Sequence, residues 1–149
     1  MQANGYCHFN DKKVNRQFHI SLFGHELSIQ QMPDDRLLGH GAVVWDSAAI
    51  FVKYMECNPK DYDSSKLAGK TVLELGPGCG LAGIAFMMRG AVVTCTDLSD
   101  VTIALTMKNV NVSSSIPSIY HTIPTHSDGM MIVVTSCHPS TGNRTSTYN

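Results

Sequence analysis

Glu74, Gly76, Gly78, Gly80 and Asp97 are the residues whose types and spacing can do chemistry. Leu73-Glu74-Leu75 runs into Gly76-Pro77-Gly78-Cys79-Gly80-Leu81, and Asp97 closes a second apolar run twenty-odd positions on. Alternating glycines permit a tight turn and let a ligand approach the backbone. An acidic residue at the end of the next strand can take the two hydroxyls of a ribose. Together they point to a nucleotide-type site. The bland alternative is a glycine turn that binds nothing.

The elements that must position these residues are legible around them. Val72, Leu73 and Leu75 form a short apolar run, which predicts a strand buried on both faces. Leu81, Ile84, Ala85 and Met88 recur at helical spacing. Gly90 follows Arg89 as a helix stop, and a cation suits the negative helix end. Val92 and Val93 begin a second strand. Strand, glycine turn, helix, strand and acid make one mononucleotide-binding βαβ half.

Two ligand classes compete for such a unit. A dinucleotide fingerprint wants Gly-x-Gly-x-x-Gly, and Leu81 stands where its third glycine belongs. The spacing present is Gly-x-Gly-x-Gly, with Glu74 two residues ahead of it. A carboxylate there repels a pyrophosphate and tolerates a cationic ligand such as S-adenosylmethionine.

The stretch Val72-Leu-Glu-Leu-Gly-Pro-Gly-Cys-Gly-Leu81 with Thr96-Asp97-Leu98 resembles the seven-β-strand S-adenosylmethionine-dependent methyltransferases. Gly41-Ala-Val-Val-Trp45-Asp46-Ser-Ala upstream is similar to the Trp-Asp segment of their protein-lysine subgroup, methyltransferase family 16. Lys108-Asn109-Val110-Asn111 resembles the end of that family's second core helix. The resemblance covers about residues 15 to 112. It implies an α/β, Rossmann-like methyltransferase fold, S-adenosylmethionine as cofactor and a protein lysine side chain as substrate. It places Trp45, Glu74, Gly76, Gly78, Gly80, Asp97 and Leu98 at the cofactor, with Trp45 as a pocket wall and Leu98 near the adenine edge. Without it, Trp45 reads as a core or helix-start anchor.

Composition excludes several classes. A net charge of −1 leaves no nucleic-acid footprint, so no nucleic-acid partner is expected. No apolar run reaches membrane length, so no membrane partner is expected either. Five unevenly spaced cysteines predict reduced thiols in a cytoplasmic or nuclear setting. No cysteine or histidine pair has metal-site spacing, so no metal is assigned. The sequence sets no oligomeric state.

Three segments are expected along the chain. Residues 1–40 carry a β-hairpin: Phe18, Ile20 and Leu22, then Leu27 and Ile29, alternate with polar neighbours on either side of Gly24-His25. Residues 41–112 form the cofactor core. There Asp46 can cap a helix whose Ala48, Ala49, Val52 and Met55 share a face, and Ser99 or Asp100 can cap another. Residues 113–149 are rich in Ser and Thr and interrupted by Pro117, Pro124 and Pro139. In that segment Met130 to Thr135 can be a strand, roughly where the family's fourth strand begins.

A seven-stranded sheet needs roughly 200 residues, so an incomplete sheet and a truncated C-terminus are expected. Where the family carries Asp-x-x-Tyr beside the target lysine, this chain has Ser136-Cys137-His138-Pro139. No catalytic residue is therefore assigned. The leading expectation is a protein-lysine methyltransferase. The alternatives are a truncated, non-catalytic member that binds cofactor or a partner, and an NAD(P)-dependent oxidoreductase, against which Leu81 counts.

Overall fold

The computed structural model describes residues 16–34, 39–97, 100–112, 119–124 and 131–136. Leu98, Ser99, the Ser-Cys-His-Pro stretch beyond Ser136 and most of segment 113–149 lie outside these residues. The chain opens with β1 (Gln17–Leu22) and β2 (His25–Gln30), then a single 3-10 turn over Gly39–Ala42. Helix α1 (Asp46–Cys57) and the one-turn helices α2 (Pro59–Tyr62) and α3 (Ser64–Leu67) lead to β3 (Thr71–Leu75). Helix α4 (Leu81–Met88), β4 (Val92–Asp97), α5 (Asp100–Val112), β5 (Ile119–Pro124) and β6 (Met131–Ser136) complete it. This is a mixed α/β chain with an N-terminal hairpin and a partial Rossmann-like unit. Among the described residues no helix is long and apolar enough to cross a membrane.

The expected hairpin forms. Phe18 faces Ile29 and Ile20 faces Leu27 across an antiparallel pair. Phe23 and Gly24 turn with φ of 53° and 80°, the double positive φ of a turn whose twist matches the strands. Leu22, Leu27 and Ile29 are buried and join the same apolar cluster as α1, α4 and α5. The hairpin tip is held from α1: Glu56 accepts a hydrogen bond from Phe23 N at 2.6 Å. Lys53 bonds both Glu56, at 2.8 Å, and the Ser21 carbonyl. Burial pushes the Glu56 carboxyl up, but these donors together outweigh it and hold the group below its ordinary value. Arg89 stacks its guanidinium 3.7 Å from the Phe23 ring centroid.

Helix α1 buries Val52 and Met55 as its spacing predicts. Asp46 is its first helical residue rather than its cap; Trp45 occupies the capping position and makes no side-chain cap bond. An acid in the first turn still favours the positive helix end. The rings of Phe51, Tyr62 and Phe86 meet with centroids 5.9–6.4 Å apart. These aromatic contacts clamp α1 to α4 and so set where the Trp45 end of α1 sits.

The unit β3-α4-β4 is parallel, with Val72 beside Val93 and Glu74 beside Cys95. Helix α4 buries Leu81, Ile84, Ala85 and Met87; full burial of a residue such as Ile84 contributes about 1.5–3 kcal/mol. It ends at Met88, with Gly90 at φ 84° as the expected stop. The sheet order is β3-β4-β6-β5.

Two expectations about the sheet are corrected. The first is burial of β3 on both faces. Helix α4 covers the face carrying Glu74, whereas Leu73 and Leu75 on the other face are 62% and 74% exposed. An apolar run is buried twice only where both covering layers are present. The second concerns strand partners. An incomplete sheet implies a bare edge on each of the two core strands, and that holds for β3, which pairs on one side only among the described residues. It fails for β4, whose other side pairs antiparallel with Met131–Ser136. Ile119–Pro124 forms a further strand, antiparallel to β6, which the sequence reading missed.

Strand β3 carries two bare leucines and no proline, and its one charged residue, Glu74, is engaged beneath α4. Its open edge therefore has little of the usual protection against edge pairing. The chain is expected to self-associate as its concentration rises. Leu73→Lys with Leu75→Lys should suppress that association in sedimentation velocity while changing stability by no more than about 0.5 kcal/mol. Unaltered association in the double variant would show that this face is not responsible.

Candidate functional site

The loop between β3 and α4 has positive φ at Gly76, Gly78 and Gly80, a backbone that side-chain-bearing residues rarely adopt. Its first bond continues the sheet: Gly76 N donates to the Thr96 carbonyl at 2.7 Å. Gly78 N then donates to Asp97 Oδ2 at 3.4 Å, and Gly80 N to the Pro77 carbonyl at 2.8 Å. The loop thus folds over the end of β4, and Asp97 meets it directly.

A cavity of about 350 Å³ opens beside this loop, within the range of small-molecule sites. Trp45, Glu74, Gly76, Gly78 and Asp97 all line it, so five of the residues singled out from sequence share one wall system. Gly80 does not line it. A side chain at Gly80 would meet Thr106 Cγ2 at 2.7 Å, so this glycine serves the packing of α5. Gly78 admits the backbone of the Trp45 segment: a Cβ there would sit 3.0 Å from the Gly41 carbonyl. At Gly76 a Cβ would meet nothing within 4 Å, so this is where the loop backbone lies open. Trp45 is 42% exposed and stands on the wall as a broad, half-covered ring. Leu98, expected beside Asp97, lies outside the described residues.

Glu74 does more than tolerate a cation. Its carboxylate accepts hydrogen bonds from Gly83 N and from Cys95 Sγ, the latter at 3.5 Å. Gly83 is the third residue of α4, whose capping residue Gly80 supplies no side-chain cap. Glu74 therefore satisfies one of the orphan N–H groups at that helix end, where an anion is also favoured. Gly83 has no Cβ because one would lie 2.5 Å from Glu74 Oε2. Burial raises the Glu74 carboxyl above its ordinary value, against the lowering effect of its two donors. The neighbouring thiols are inert: burial pushes Cys79 up to about 12. Burial and the adjacent Glu74 carboxylate push Cys95 further. Neither thiol is a nucleophile at neutral pH.

Sequence reading missed the other half of the wall. Cys79 of the loop itself reaches the cavity, as do Gly41, Val43 and Ser47, which the fixed approach of α1 to the loop brings there. It also missed the hydrogen bonds from α5 to the loop carbonyls: Thr106 Oγ1 to Gly78 O at 2.8 Å and Asn109 Nδ2 to Cys79 O at 2.9 Å.

Residues 23–123 match the lysine methyltransferase family. The chain belongs to that family. It is 41% identical over 83 residues to the protein-lysine methyltransferase METTL21E of Bos taurus, covering 56% of this chain and 26% of that protein. It is 39% identical over 98 residues to the protein N-lysine methyltransferase METTL21A of Danio rerio, covering 66% and 40%. It is 42% identical over 94 residues to EEF1A lysine methyltransferase 3 of Mus musculus, covering 63% and 37%. The chain thus spans about a quarter to two-fifths of the length of these relatives. The residues matched by the family include the hairpin's second strand, the Trp45 segment, the glycine loop and Asp97.

Two outcomes test this geometry. Gly80→Ala combines left-handed backbone strain of about 1–2 kcal/mol with overpacking against Thr106, and is expected to cost about 2–4 kcal/mol. Gly76→Ala meets open space and should cost only the strain; urea unfolding of both variants makes the comparison, and equal losses would refute it. The second outcome is a pH dependence. A raised Glu74 value means that stability from its protonated form is fully present below the unfolded value of about 4.5. That stability is lost as pH rises through the folded value. Glu74→Gln cannot ionise, so the Tm difference between variant and parent should move in the variant's favour as pH rises above about 4.5.

Proposed function

We propose that this chain is the cofactor-binding part of an S-adenosylmethionine-dependent protein-lysine methyltransferase. The observation that carries the reading is a cavity lined together by the Trp45 segment, the glycine loop and Asp97. The donor set fits the cofactor. Asp97 offers a carboxylate to ribose hydroxyls, Gly76 leaves the backbone open to close approach, and Glu74 keeps the wall anionic or neutral, never cationic. Bound there, S-adenosylmethionine supplies an already electrophilic methyl group. What remains for the protein is positioning and exclusion of water.

The chain's own residues do that work. The Trp45 ring, Val43 and Pro77 provide apolar wall. A lysine amine, with a free pKa of about 10.4, must arrive deprotonated, and an apolar wall favours its neutral form. The inert Cys79 and Cys95 leave no competing nucleophile at the loop. The names of the relatives support lysine as the acceptor, and the five unevenly spaced cysteines support a reducing, cytoplasmic or nuclear setting.

A second reading is cofactor binding without turnover. Ser136-Cys137-His138-Pro139 in place of Asp-x-x-Tyr favours it. The two readings differ in methyl transfer alone. Calorimetric titration with S-adenosylhomocysteine is expected to give binding that Asp97→Ala weakens about tenfold or more, since hydrogen bonds to a charged group contribute about 1.5–3 kcal/mol. Binding with transfer of labelled methyl to protein lysine supports the first reading. Binding without transfer supports the second. A folded chain that binds NADH and not S-adenosylhomocysteine overturns both.

A further inference from the structure

Asn109 is fully buried on α5 and touches two parts of the chain that are otherwise remote. Its Nδ2 donates to the Gln30 carbonyl at 3.0 Å and its Oδ1 accepts from Gln30 N at 2.7 Å. The carboxamide thus pairs with the end of β2 as a neighbouring strand would. The same Nδ2 donates to the Cys79 carbonyl in the glycine loop at 2.9 Å. Just past β2, Gln31 Oε1 accepts from Val44 N at 2.7 Å, and Met32 N donates to the Ala42 carbonyl at 2.8 Å. The residues that follow the hairpin therefore also hold the strand of backbone that carries Trp45.

We infer that Asn109 is a positioning residue that couples the N-terminal hairpin to the glycine loop, so that ligand binding at the loop and ordering of the hairpin are one equilibrium. The inference rests on the cofactor reading for the identity of the ligand, and on the hydrogen bonds alone for the coupling. Thr106 and Asn109 draw the Gly78 and Cys79 carbonyls toward α5. Because a trans peptide is planar, drawing Gly78 O to α5 turns Cys79 N–H to the opposite side. Asn109 bonds polar groups from both segments, so loosening either segment removes hydrogen bonds from a fully buried amide, which is costly. Thr106 lacks this double reach: its hydroxyl bonds the loop and its own helix. A coupling of this kind is reciprocal: whatever the ligand adds to hairpin order, hairpin order adds to ligand affinity.

Amide hydrogen exchange of the full chain tests it in two arms. In the unmodified chain, saturating S-adenosylhomocysteine is expected to slow exchange at Gln30 and along the β1–β2 pair by about fivefold or more. Binding is followed independently by the fluorescence of Trp45, the sole tryptophan. In the ligand-free arm, Asn109→Ser should speed exchange at both Gln30 and Gly80. Thr106→Val, which unpins the loop alone, should speed Gly80 and spare Gln30. Ligand binding that protects the loop but leaves the hairpin unchanged overturns the coupling and keeps the cofactor reading. Absence of binding by the folded chain overturns the cofactor reading, and the ligand-free arm then decides the coupling by itself. If Asn109→Ser speeds exchange on one side only, the coupling is refuted. If that variant fails to fold, exchange in the unmodified chain with and without ligand still decides between coupled and independent segments.

Discussion

Three glycines in left-handed conformations within five residues leave the β3–α4 loop with almost no side chains of its own to hold it. Everything else at the site follows from that constraint. A loop that must stay open for a ligand has to be fixed from behind, through its backbone. The sheet takes Gly76 N, Asp97 takes Gly78 N, and α5 takes the Gly78 and Cys79 carbonyls. Gly80 is tight against Thr106 because that grip requires α5 to come close. The same shortage of side chains explains why helix α4, which begins where the loop ends, takes its N-terminal partner from a strand. Glu74 reaches Gly83 N because no residue of the loop can.

Such a half-buried carboxylate has a cost and a use. Desolvation opposes its charge, and the two donors only partly offset that. In return Glu74 ties β3, α4 and, through Cys95, β4 at one point. The residue that its spacing assigns to the ligand thus also organises the unit that binds it. The two roles do not conflict: Glu74 lines the cavity while its oxygen Oε2 is engaged beneath α4.

What is legible in the sequence follows from local rules. The hairpin is visible as period-two alternation around a glycine, α4 as a helical stripe between two glycines, and the βαβ unit as their succession. Glu74, Gly76, Gly78 and Asp97 are picked out because turn chemistry and strand ends are encoded within a few residues, whereas Trp45 is picked out through the family resemblance alone. What escapes depends on layers and partners far apart in sequence. Burial of β3 cannot be judged without knowing what covers its second face. The Ile119–Pro124 strand is masked by nearby prolines and hydroxyl-rich flanks, although Ile119, Tyr120, Thr122 and Ile123 suit a strand. Asn109 carries a family likeness but no visible role, since its partners lie 79 and 30 positions away.

The bare face of β3 and the grip of α5 on the loop bear on each other. Parallel β3 is held through its pairing with β4 and through α4 on one side; its outer edge and its leucine face add little. The cavity therefore depends on a strand supported from one direction. In such a frame the hairpin is more than a flap over a finished site. Its core residues Leu22, Leu27 and Ile29 share the cluster that includes Ile84, Leu81 and Ile103, and its last residue is bonded to the side chain that holds the loop. An α/β unit lacking cover on one face gains rigidity from the opposite one, and in this chain that support comes from α1, α5 and the hairpin together. The position of Trp45 relative to Asp97, which defines the cavity, is set on that supported side.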